Sequence, residues 1–194
     1  MVRALQASRD LVALAKLIDL EVASAATAEQ LRTWARLAAE ESLHHQMSTA
    51  YYKILEYAPT DREALVRLGK LAFAEGRYKP ARELLDRAVA AGERDWESYW
   101  LMGDLLTREK RPAEARRSYN EALRLLAVER NRPFPVRAAE ALLLHKSRRE
   151  DEARAAFEKL LAERPDDANL KADYAAVLTE GGLYDRAEQI LARH

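Results

Sequence analysis

Residues 68–88 (LGKLAFAEGRYKPARELLDRA) and 102–122 (MGDLLTREKRPAEARRSYNEA) carry Gly and Ala at the same internal places, although most of the other letters differ. Gly69 and Gly103, Ala81 and Ala115, Leu85 and Tyr119, and Ala88 and Ala122 are each 34 positions apart. A fixed period of roughly 20 to 50 residues marks a repeat architecture, in which one supersecondary unit stacks on the next and no single centre forms. The recurrence limits the fold before any other property is considered.

Within the period the apolar residues follow helical spacing, as in Leu11, Leu14, Ala15, Leu17 and Ile18, and strand-like alternation of β-branched residues is absent. Gly76, Pro80, Gly92, Pro112, Pro133 with Pro135, Pro165, and Gly181 with Gly182 punctuate the pattern and leave paired helices. Shifting Ala81 and Leu85 back by 34 reaches Met47 and Tyr51, and Pro59 closes that unit. Going forward, Ala115 and Tyr119 need a shift of 38 to reach Ala153 and Phe157, then another 34 to reach Ala187 and Leu191. The extra residues are assigned to the loop around 130–133, since a loop absorbs an insertion at small entropic cost.

The units so defined are 28–61, 62–95, 96–129, 134–167 and 168–194. An N-terminal helix within 1–27 precedes them and reads as half a repeat, with 9–24 in the register of a second helix. Both ends read as cut. The expectation is an excerpt of a longer array, or ends that pack on a neighbouring chain through self-association, because repeat arrays need polar caps. Antiparallel helices approach closely only over small side chains, so Gly69 with Ala81, and Gly103 with Ala115, are expected to mark the crossings. Ala88 and Ala122 lie on the same face and are expected to receive the next unit.

Composition removes several functions. The 32 basic and 32 acidic residues sum to a formal net charge of +0, which supplies no field to draw the chain onto nucleic acid or an anionic membrane. With no cysteine there is neither disulfide nor thiolate chemistry. No apolar run approaches the roughly 18 residues of a membrane span, and residues 1–10 (MVRALQASRD) lack a signal-peptide apolar region. Direct membrane insertion is not expected. Arg outnumbers Lys by 24 to 8 and Ala is abundant, which hints at a GC-rich, bacterial genome.

These residues resemble the tetratricopeptide repeat (TPR) family. Leu65, Leu68, Gly69, Ala72, Tyr78, Ala81, Leu85 and Ala88 match its 34-residue pattern, as do Tyr99, Met102, Gly103, Leu106, Ala115, Tyr119 and Ala122. The fourth unit departs from it, with Glu140 and Ala141 where the pattern has a large apolar residue and Gly. The resemblance implies an all-α, right-handed α-solenoid of antiparallel helix pairs, about five TPR-like repeats plus the N-terminal helix. First helices would line a concave groove that holds a protein or peptide.

In that register the groove-facing candidates are Arg32, Arg36, Lys70, Phe73, Trp100, Asp104, Arg108, Leu142, His145, Lys146, Ala176 and Glu180. Arg and aromatic side chains are what binding hot spots favour, and Trp100 is the foremost candidate. It reads equally as a core residue, since a one-residue shift would exchange it with Tyr99. Trp34 and Trp96 read as packing residues. TPR domains that bind chaperone tails place a Lys and Asn set on this face; here Arg32, Arg36, Val66, Lys70, Trp100 and Asp104 stand there, which argues against that specialisation. An acidic peptide could still meet Arg32, Arg36 and Lys70.

Catalysis is not expected, and neither is a cofactor or a metal. His44 and His45 are adjacent, so on a helix they would diverge, and they are assigned to a turn. His145 is alone and His194 is terminal. No nucleophile elbow, phosphate loop or metal-ligand spacing occurs. The expected function is a non-catalytic interaction scaffold or adaptor, with a bacterial envelope or exopolysaccharide-export component as its narrower form, which leans toward the periplasm over the cytoplasm. The rival expectation is a regulatory domain sensing a peptide or small ligand within a larger enzyme or transcription regulator.

Overall fold

The computed structural model describes residues 1–129 and 131–192, and among them there are twelve α-helices and no strand. Arg130, within the expected insertion, and His194, at the close of the expected last unit, lie outside the described residues. The chain divides into two compact units, Met1–Glu93 and Arg94–His194. The first holds α1 (Val2–Ser8), α2 (Leu11–Ser24), α3 (Ala28–Glu40), α4 (His44–Tyr57), α5 (Arg62–Ala74) and α6 (Tyr78–Ala90). The second holds α7 (Trp96–Arg108), α8 (Pro112–Leu126), α9 (Phe134–Lys146), α10 (Glu150–Glu163), α11 (Ala168–Glu180) and α12 (Tyr184–Ala192). Within each unit the helices pack as consecutive pairs.

Local chemistry sets where helices start. Asp61, Asp95 and Asp167 cap α5, α7 and α11, accepting from the backbone N–H of Ala64, Ser98 and Leu170 at 2.9, 3.2 and 3.0 Å. Thr27 caps α3 in a reciprocal box with Gln30. The second helices α4, α6, α8 and α10 have no side-chain cap, because a tight turn leads into them directly. At each such turn one residue is left-handed: Ser42, Gly76, Lys110, Arg148 and Gly182, with φ of 57, 73, 58, 64 and 76°. The following N–H returns to the carbonyl five residues back, as from Leu43 to Ala38 and from Arg111 to Leu106 at 2.8 and 2.9 Å. This is the Schellman arrangement, which satisfies helix-end carbonyls within a three-residue turn.

Three placements differ from the sequence reading. Residues 1–27 hold two helices rather than one, since left-handed Arg9 (φ 56°) closes α1 and Asp10 caps α2 through the N–H of Ala13 at 3.0 Å. His44 and His45 open α4, and the turn before it is 41–43. The insertion is shared: α8 has 15 residues against 13 in α6, and the connector 127–133 is two residues longer than 91–95.

The cores follow the units. Leu14, Ile18, Leu31, Tyr51, Ile54 and Leu65 anchor a buried cluster in the first. In the second, Tyr119, Ala122 and Leu126 pack with Leu143 of α9, while Phe157 stacks on Tyr174 of α11 with ring centroids 5.0 Å apart. Ala122 is thus where the following helix pair rests.

The close approach within a pair is not between Gly and Ala, as small-on-small spacing would have it. A Cβ built on Gly103 would lie 2.3 Å from Cε1 of Tyr119, and one on Gly69 would lie 2.9 Å from Cγ and Cδ2 of Leu85. Each glycine is a notch for the large residue 16 positions later, because a bulky knob needs the space that the missing Cβ leaves. Ala141 precedes Phe157 and Ala35 precedes Tyr51 by the same interval, and all four are fully buried.

Gly to Ala in a helix gains up to about 1 kcal/mol in propensity, which sets the sign of two outcomes. The end of Leu85 can shift, so Gly69→Ala is expected to stay within about 1 kcal/mol of wild type. The Tyr119 ring is pinned by its hydroxyl, so Gly103→Ala is expected to destabilise by about 1–3 kcal/mol in urea unfolding; equal effects would show the ring to be free. Lys110→Gly, which relieves a left-handed non-glycine residue, should stabilise by about 1 kcal/mol in the same measurement.

Candidate binding surface

In the first unit, α3 sets Arg32 and Arg36 one helical turn apart, and both meet the start of α5. Arg32 pairs with the capping residue Asp61, and with Glu29 at 3.2 Å. Arg36 forks onto Glu63, Nε to Oε1 at 3.0 Å and Nη2 to Oε2 at 2.7 Å, a bidentate geometry that suits guanidinium and carboxylate. The Tyr51 hydroxyl donates to the same Glu63 Oε1 at 3.2 Å.

Titration follows from these contacts. The Arg36 fork holds Glu63 below the usual carboxylate range against the opposing effect of burial. Burial likewise opposes ionisation of Asp61, yet the Ala64 N–H and Arg32 outweigh it and lower its pKa. Burial, then Glu63, raises Tyr51 to about 12. The basic start expected of this face is therefore already engaged by carboxylates. On α5, Phe73 meets Tyr78 edge-on at 5.7 Å, and Lys70 is half-buried with an interaction of its own.

In the second unit three of the predicted residues, Trp100, Asp104 and Lys146, come together. Asp104 accepts from three sides: the Tyr119 hydroxyl at 2.8 Å and Lys146 Nζ at 2.9 Å on Oδ1, and Trp100 Nε1 at 3.0 Å on Oδ2. Trp100 is neither a core residue nor a free one; it is half-buried, tilted against Trp96 at 6.1 Å. Lys146 also lies over the Tyr119 ring, 5.5 Å from its centroid. The Tyr119 hydroxyl lies 3.0 Å from Thr107 Oγ1, and burial raises its pKa foremost. Arg108 is exposed and has an interaction of its own.

His145 ties three helices together, with Nδ1 at 2.7 Å from Glu150 of α10 and Nε2 at 3.0 Å from Glu180 of α11. Burial opposes its protonation, but the two carboxylates prevail and its pKa is raised.

Beside this network is an open cleft of about 460 Å³. Its apolar surface comes from Ala115 and Tyr119 of α8, Leu142 of α9, and Ala176 and Val177 of α11. Its polar surface includes Arg116, His145, Lys146, Arg148, Asp173 and Glu180. Sequence reasoning missed Tyr119, Arg116, Arg148 and Asp173 as residues lining the cleft. Tyr119 occupies a core position, and only its being Tyr where the previous unit has Leu85 signals a second role. Asp173 stands one helical turn before Ala176, which register alone could have found. Among the described residues no group of three or more His, Asp or Glu is set to hold a metal ion, and no helix is long and apolar enough to cross a membrane.

A comparison with curated protein sequences finds no match. Two tetratricopeptide repeat family models match, one over residues 49–92 and 66–134, the other over 144–194, together more than half of the chain. Among solved structures, a tetratricopeptide repeat protein from Parabacteroides merdae is similar at TM-score 0.70 and 16% identity, over 97% of this chain and 74% of its own. YrrB, a TPR protein with an unusual peptide-binding site, is similar at TM-score 0.62 and 18% identity, over 86% of this chain and 84% of its own. MamA is similar at 0.59 and 20%, over 86% of this chain and 88% of its own. Likeness at such identity establishes the fold, and the repeat spacing, the left-handed turns and the matched models together place the chain in the tetratricopeptide repeat family.

Proposed function

We propose that this chain is a non-catalytic protein-interaction scaffold and that its second unit holds a protein segment in the cleft between α8, α9 and α11. The observation that carries the reading is the cleft itself, whose lining joins apolar Leu142, Ala176 and Val177 with several charged side chains, a mixture that protein interfaces also show. YrrB, with its unusual peptide-binding site, is a precedent for peptide binding on the same fold. Trp100, Asp104 and Lys146 form the adjoining network, His145 lines the cleft, and Arg108 extends the surface along α7. On the first unit, Arg32, Arg36, Lys70 and Phe73 make up a second contact surface, where a partner would share or displace Asp61 and Glu63. Service in a bacterial envelope or exopolysaccharide-export assembly is the narrower form of this proposal, supported by composition and by family habit.

A photo-crosslinking amino acid at exposed Ala176 is expected to capture a discrete protein partner in source cells, while the same group at exposed Lys159, outside the cleft, is not. Equal capture from both positions, or none from Ala176, would overturn the assignment. The His145 bridge gives a pH dependence whose sign is set. Because its pKa is raised in the folded state, its contribution is fully present below the unfolded value of about 6.5 and is lost as pH rises through the folded value. With Glu180 exposed, the stability gap between wild type and His145→Ala is expected to shrink by roughly 0.5 kcal/mol from pH 6 to pH 9 in urea titrations.

A further inference from the structure

The charges around the cleft do not all close on one another. Asp104 is satisfied by Tyr119, Lys146 and Trp100, and Glu180 by His145. Three charged side chains of the lining have no hydrogen-bond or ion-pair partner among the described residues: Asp173 of α11, Arg116 of α8, and Arg148 in the turn after α9. Asp173 is half-buried, and its carboxyl is pushed above the ordinary range by burial and by a second carboxylate, Asp167. The charge acting on it is of its own sign, so a cation from outside would find an unopposed acceptor.

The helices fix how far apart these charges stand. Asp173 and Glu180 are seven residues apart on α11, which is about 10 Å along the axis. Glu180 is bonded to His145 near the end of α9, and Arg148 follows three residues later. The cationic end of the cleft therefore lies about two helical turns from Asp173, with Leu142 and Ala176 between. A polyproline-II-like chain has three residues per turn and a rise of about 3.1 Å, so its residues i and i+3 share a face roughly 9 Å apart.

Resting on the scaffold reading above, we infer that the cleft selects an extended protein segment in which Lys or Arg stands three residues from Asp or Glu. The basic side chain is received by Asp173, the acidic one by Arg116 and Arg148, and the residues between lie against Leu142 and Ala176. The chain direction is left open, since the two ends of the cleft constrain charge and spacing alone.

The test is selection of a phage-displayed random 12-residue library on the full chain, followed by anisotropy titration of the dye-labelled peptides recovered. The expected result is enrichment of oppositely charged residues three apart, and a loss of affinity of tenfold or more with Asp173→Asn. A similar loss is expected for the double variant Arg116→Ala, Arg148→Gly, whose glycine suits the left-handed turn. Asp173→Lys should bind a peptide whose basic residue is changed to Glu, a rescue that damage to the fold would not give. Peptides recovered without that spacing, or binding Asp173→Asn as tightly as wild type, would overturn this inference and leave the scaffold reading standing. Recovery of no peptide from the library would overturn both.

Discussion

The approach of α7 to α8 at Gly103 leaves no room for a Cβ, and much of the second unit depends on that contact. A glycine notch admits the ring of Tyr119, whose edge would otherwise meet a side chain at 2.3 Å. Once the ring is seated, its hydroxyl reaches Asp104, which draws in Lys146 from α9 and the indole N–H of Trp100. A steric requirement of helix pairing is in this way converted into a polar network between successive first helices. The same position carries Tyr51 in the first unit, whose hydroxyl reaches forward to Glu63 of α5. Where the position holds Leu85 or Phe157 the knob remains but its polar reach is lost, and α9 and α10 are tied elsewhere, by the Arg137 fork onto Glu163 and by His145 with Glu150.

How much of this could be read from the chain varies with the range of the interaction. The 34-residue period and the helical spacing are local and repeated, so the all-α class and the family were legible in Gly69, Gly103, Ala81 and Ala115. The partner of each glycine was not, because two small residues on facing helices invite a small-on-small crossing, whereas the structure fits a large knob into the notch. Arg9, Ser42, Lys110 and Arg148 adopt the left-handed turn without being glycine, and so the end of α1 was invisible to a reading that looks for Gly and Pro. His44 and His45 were misplaced for a related reason: the tight turn ends at Leu43 and passes straight into the helix.

The candidate surface was legible as a register and not as a charge distribution. Spacing put Arg32 and Arg36 on one face of α3, but their partners Asp61 and Glu63 are 29 and 27 residues further on, beyond any within-helix rule. In hindsight, acidic residues two apart at the head of one first helix, facing arginines four apart on the preceding one, are a signal at the level of the repeat. Trp100 was open between core and surface, and its geometry accounts for the ambiguity. Half of the ring packs while its N–H serves a carboxylate.

A formal net charge of +0 says nothing about where charge is compensated. In the first unit the arginines singled out by register are matched by forked or capping carboxylates, and a ligand competing for them must first break a formed bond. Exposed pairs contribute little to stability, but they do occupy donors. Beside the second cleft, compensation stops short at Asp173, Arg116 and Arg148. Asp173 is half-buried, and burial with Asp167 beside it raises its pKa, so part of the desolvation that binding imposes is already borne and a cation delivered there gains more than at a fully solvated pair. Selectivity in a chain of no net charge is then a matter of which charges beside the cleft are left unanswered once the network built on Tyr119 has satisfied Asp104 from three sides.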